Sequence, residues 1–141
     1  MALKRTEVNS NIRYNENLVN SYNRTINNIC SQLDELYDLR NRVSNLQNSF
    51  GERQSERKSR LARVSAAHYD VNMINAYFSG MSSLLNGVEY HNAYNGLSTA
   101  IEAINAEIRR QEESRSYYEN QRSYRQNRVQ YWQRQMRYAK N

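Results

Sequence analysis

From Tyr90 to Ala139 the apolar and seam-forming residues recur at a spacing of four, then three, that never slips. They are Tyr90, Tyr94, Leu97, Ile101, Ile104, Ile108, Gln111, Arg115, Tyr118, Arg122, Arg125, Val129, Trp132, Met136 and Ala139. This alternation keeps one narrow stripe of an α-helix facing a partner helix, and no proline or glycine interrupts it after Gly96. At about 1.5 Å per residue the run makes a rod of roughly 75 Å. A rod cannot bury its own stripe, so a second helix has to cover it.

The first part of the chain offers that helix. From Thr6 or Asn9 as candidate caps, Ile12, Asn15, Val19, Tyr22, Ile26, Ile29, Leu33 and Leu36 occupy a second seam. It then steps by three to Leu39 and continues through Val43, Leu46 and Phe50, a stammer that overwinds a coiled coil without ending the helix. Asn15 holds a core slot, where a polar group either fixes register or marks a frayed helix end. Between about residues 48 and 56 the apolar signal thins around Gly51. The seam positions Phe50, Gln54, Arg57 and Leu61 keep phase across this waist, which favours a continuous or kinked helix over a loop. A loop there would instead give three helices.

Asn86-Gly87, preceded by Leu85, is the strongest turn signal in the sequence, because both residues tolerate the left-handed conformation that ends a helix. These features predict one all-α domain over residues 1–141, an elongated, antiparallel, coiled-coil-like helical hairpin. Its first arm covers about residues 6–80, its turn about 80–89 and its second arm about 90–139. Folding back about residue 86 would set Ile101, Ile104 and Ile108 against Val71, His68 and Val64. It would also set Arg134, Arg137 and Lys140 beside Asp34, Glu35 and Asp38.

This arrangement leaves a remainder, because the first arm is the longer one. The stripe of Ile12, Val19, Tyr22, Ile26, Ile29 and Leu33 then has no partner within the chain and is the expected contact surface for another protein, with Tyr131, Trp132 and Met136 closing the far end. If the first arm doubled back as a three-helix fold, the stripe would be covered internally.

Composition narrows the function classes. Only 38% of the 141 residues are hydrophobic, and the mean hydropathy is -1.03, too little apolar surface for a thick core. Twelve tyrosines supply much of what there is. A tyrosine ring packs on a neighbouring helix while its hydroxyl stays in water, which suits a thin bundle or an interface. The single cysteine, Cys30, follows Ile29 in the stripe and reads as a packing residue. His68 and His91 have no ligand partners at metal-binding spacing, so no metal or cofactor is expected. No phosphate loop or nucleophile-base pair is present, and the chain reads as a non-enzyme.

No apolar run is long enough to span a bilayer, and Met1-Ala2-Leu3-Lys4-Arg5 lacks the apolar segment of a cleaved signal peptide. Synthesis and residence in the cytoplasm are expected. The formal net charge is +6, and no acid follows Glu119, whereas Arg122, Arg125, Arg128, Arg134, Arg137 and Lys140 do. Interleaved with Tyr124, Tyr131, Trp132 and Tyr138 they could contact nucleic acid. No nucleic-acid motif accompanies them, and an acidic protein partner satisfies the same charge.

The turn Leu85-Asn86-Gly87, followed by Tyr90, Tyr94, Leu97, Ile101, Ile104 and Ile108 in a proline-free hairpin, resembles the WXG-type, ESAT-like proteins of type VII secretion. It is most similar to the longer Gram-positive members encoded beside LXG-domain toxins. Leu85 stands where that family has tryptophan. The family's Tyr-x-x-x-Asp/Glu export pattern has no instance in the second arm: Tyr117 leads to Gln121, Tyr118 to Arg122 and Tyr131 to Gln135. The resemblance implies an accessory or targeting factor, or chaperone, that binds the helical LXG-type domain of a toxin in a hetero-oligomer. A second small helical protein would carry the export signal, and the chain would leave by the type VII pathway with its partners. A self-associating coiled coil and a basic nucleic-acid-binding coiled coil are the alternatives.

Overall fold

A computed structural model describes residues 4–66, 79–83 and 86–139. Two long helices dominate: α1, Arg5–Ala66, and α2, Val88–Met136. The fold is the all-α helical hairpin that the two seams predict. α1 passes without interruption through residues 48–56, so the polar waist is neither a break nor a loop. Gly51 is helical there, and one glycine costs a helix only about 1 kcal/mol, which its neighbouring turns absorb. At the start of α1 the carbonyl of Lys4, rather than a Thr6 or Asn9 cap, accepts from the amides of Glu7 and Val8 at 3.1 and 3.2 Å.

The helices pack as two units, Met1–Leu36 with Glu107–Asn141, and Tyr37–Ala106. In the first, α1 and α2 run antiparallel. Arg122 Nη1 donates to Asn23 Oδ1 at 3.0 Å, Arg125 Nη1 donates to Asn15 Oδ1 at 3.2 Å, and the Tyr22 and Tyr118 rings meet at 5.9 Å. Its core consists of Val8, Ile26, Ile29, Leu33 and Ile108, all buried, with Leu33 only 1% exposed.

In the second unit the same two helices are again antiparallel. Arg40 Nη1 donates to Asn105 Oδ1 at 3.1 Å, Gln47 Nε2 donates to Ser98 Oγ at 2.6 Å, and Phe50 stacks on Tyr90 at 5.0 Å. Leu61 and Gln54 are buried. No stammer occurs. Arg40 and Gln47 keep the phase set by Leu33 and point across to α2, whereas Leu39 and Leu46 point outward, 46% and 57% exposed. An unbroken helix carries its phase past polar residues, and Asn105 and Ser98 meet the polar groups that arrive.

The register corrects the position of the fold. Within each unit, paired residues lie about equally far from position 71, not from position 86. The turn expected over 80–89 is therefore not the midpoint of the pairing, and residues 67–78 lie outside the described residues. Residues 79–83 are helical, and Asn86 ends that stretch: its backbone amide and its side-chain amide both donate to the Ser82 carbonyl, at 3.0 and 2.8 Å. Gly87 then accepts from the His91 amide at 3.4 Å as α2 begins. Asn86-Gly87 is a helix boundary, while Leu85 of the proposed turn motif lies outside the described residues, as does His68.

Candidate docking surface

The shifted register overturns the unpartnered stripe. Ile26, Ile29 and Leu33 are buried by α2 and form the core of their own unit, and Ile12, Val19 and Tyr22 are half-buried along the same seam. Within this unit the pairing of Asn15 with Arg125 and of Tyr22 with Tyr118 sets α2 against the beginning of α1. Trp132 and Met136 are half-buried in α2's part of that seam. Of the residues expected to form a contact surface, only Tyr131 is exposed, at 36%.

Tyr131 belongs to a row that the seam pattern conceals. Tyr117, Tyr124, Tyr131 and Tyr138 recur every seven residues, one position before the seam residues Tyr118, Arg125, Trp132 and Ala139. All four are exposed, at 58%, 54%, 36% and 74%. A seven-residue step returns a helix to nearly the same angle, drifting only ~20° each time, so the Tyr117, Tyr124 and Tyr131 rings occupy one flank of α2, while Tyr138 lies in the turn just past its end. The row is visible in the sequence once sevens are counted from Tyr117. What hides it is that a tyrosine satisfies the apolar count whether it faces in or out.

Arginines are laid against these rings. The Arg125 guanidinium lies 5.1 Å from the Tyr124 ring centre and 5.6 Å from that of Tyr14 on α1, which places Tyr14, 58% exposed, on the same face. Arg128 lies 4.5 Å from the Tyr131 ring and 5.5 Å from the Trp132 ring. A stacked guanidinium is held by the ring quadrupole and keeps its in-plane N–H donors; Arg125 directs one of them into the seam, to Asn15, whereas no described side chain takes those of Arg128.

The charges meet no acid locally. Ion pairs among the described residues join Arg42 to Asp38, Arg110 to Glu107 and Arg115 to Glu119, each within one helix. Arg128, Arg134 and Arg137 form none, so the expected pairing of the carboxy-terminal arginines with Asp34, Glu35 and Asp38 is replaced by unneutralised charge. The opposite flank of α2 differs in kind: a shallow groove there is lined by Glu16, Val19, Asn20, Gln126, Gln130 and Gln133.

Among the described residues no group of three or more histidine, cysteine or acidic side chains could hold a metal ion, and no described helix is long and apolar enough to cross a membrane. The fold and this face define an all-α helical hairpin with an outward aromatic and cationic flank. No family model matches the chain, and no curated protein or solved structure matches it either.

Proposed function

We propose that this protein is a non-enzymatic accessory factor, a targeting factor or chaperone, that binds a helical partner protein. The partner class implied by the turn and second-arm resemblance is the LXG-type domain of a type VII secretion effector. One observation carries the reading. The two helices already satisfy each other along their seams, yet α2 of the first unit presents a further row of exposed tyrosines at the seven-residue interval that a helix partner uses.

Exposed aromatic rings and arginines are the residue types enriched at protein interfaces, and such rings on a solvated helix otherwise cost solubility. An accessory role therefore rests on the outward flank of α2 and not on the buried stripe of α1. Co-expression with a candidate helical LXG-type domain, followed by size-exclusion chromatography with light scattering, tests it. A discrete hetero-oligomer is expected. A chain that stays a monomer or homodimer beside every such domain counts against the proposal.

A further inference from the structure

The geometry points to the flank of Tyr117, Tyr124 and Tyr131 as the docking surface for an acidic amphipathic helix, whose carboxylates pair with Arg128. This rests on the accessory reading above and specifies its partner chemistry. Three observations on this unit converge. The rings repeat every seven residues, about 10.5 Å apart along the helix, which is the repeat of knobs and holes between helices. Arg128 is stacked on Tyr131 at 4.5 Å and has no acidic partner among the described residues. Arg125 is held between Tyr14 and Tyr124, so both helices contribute to one face.

Charge selects among possible occupants. Residues 1–24 and 117–141 together carry ten lysines and arginines against three acids, Glu7, Glu16 and Glu119. A second copy docking through the same flank would bring two surfaces of the same positive charge together, and like charges at an interface oppose association. A single-stranded nucleic acid would meet the charge, but no nucleic-acid-binding motif accompanies it in the sequence. A helix with glutamates on its flanking positions matches both charge and interval.

Trp132 makes the test direct. It is the single tryptophan, half-buried beside this flank with its ring 5.0 Å from that of Tyr131, so occupancy should change its emission. The probe is a tryptophan-free peptide of about four heptads with leucine at the seam and glutamate at the flanking positions. It is compared with the same peptide carrying lysine for glutamate, and with a short oligothymidylate. Saturable binding of the acidic peptide alone is expected. Tyr124→Ala and Tyr131→Ala should each weaken it about tenfold or more, and Arg128→Gln should weaken it and flatten its salt dependence. Leu46→Ala, outward-facing in the other unit, should leave it unchanged, with helicity by circular dichroism equal in every variant. Failure of the acidic peptide to bind, equal binding of both peptides, or tighter tyrosine-dependent binding of oligothymidylate would each overturn the assignment. A natural helical partner that still binds Tyr124→Ala and Tyr131→Ala sinks this surface and leaves the accessory role standing. A chain that binds the acidic peptide but no LXG-type domain does the reverse.

Discussion

Arg125 and Asn15 meet across the seam: the guanidinium donates from Nη1 to Oδ1 of an asparagine that is only 3% exposed. The Asn15 amide nitrogen in turn donates to the Asn11 carbonyl at 2.7 Å, so its side chain is satisfied at both ends. Arg125 is less well served, because its buried Nε has no hydrogen-bond partner among the described residues. A polar pair in a thin apolar seam stabilises little but opposes every alignment that would leave either member alone.

Asn15→Ala is therefore predicted to cost about 1–3 kcal/mol, because it strands a partly buried guanidinium. Replacing both residues by leucine should recover most of that loss or exceed wild type, since an apolar pair carries no desolvation penalty. Urea denaturation of Asn15→Leu, Arg125→Leu and the double leucine variant measures the coupling. Strictly additive losses would show that the pair does not act as a unit.

Leu33 is the largest fully buried side chain of its unit among the described residues. Leu33→Ala should cost about 2–4 kcal/mol, and a charged residue at Ile26 or Ile29 should unfold the unit, not merely block a partner. Tyr117→Ala, on the exposed flank, should change stability by less than about 0.5 kcal/mol. Thermal melts followed at 222 nm separate the two classes, and a fully helical Ile29→Glu protein would contradict the assigned core.

Gly51 sits inside α1, and a methyl group there would meet Tyr94 Cε2 at 3.7 Å, an ordinary contact. Gly96 lies inside α2, and a methyl there would meet nothing within 4 Å. Alanine at either position should raise stability by about 0.5–1 kcal/mol by restricting the unfolded chain. A lower denaturation midpoint for Gly51→Ala would show that α1 needs local flexibility at this point.

The Glu107 carboxyl is held below its ordinary value, first by a hydrogen bond from the Gln111 amide at 3.0 Å and then by the Arg110 guanidinium. A depressed folded pKa contributes stability that is present above the unfolded pKa and is lost as pH falls through the folded one. Gln111→Ala should move the Glu107 midpoint upward, toward the usual glutamate range. Carboxyl-detected NMR titration reads it directly, and an unmoved midpoint would leave Arg110 as the dominant cause.

Periodicity alone was enough to establish the helices. The spacing from Tyr90 to Ala139 predicts α2's inward face well: all of its members are buried or half-buried except Tyr94, which sits at 36% exposure. Phase continuity past Phe50 and Gln54 predicts an unbroken α1, and Asn15 announced itself as a polar seam residue. Such features are local, set by which side chains share a helix face every 3.5 residues, so they can be counted along the chain.

Register was not local. Alignments centred near residues 86 and 71 differ by about four heptads of pairing, and a seam that repeats every seven residues matches slots with slots in both. Cross-chain groups distinguish them: Asn15 with Arg125, Arg40 with Asn105, and Gln47 with Ser98. Tertiary structure thus turned the supposed free stripe of Ile26, Ile29 and Leu33 into core and turned Tyr117, Tyr124 and Tyr131 toward solvent. A tyrosine or leucine carries the same apolarity on either face, and only the position of the opposing helix decides which face is buried.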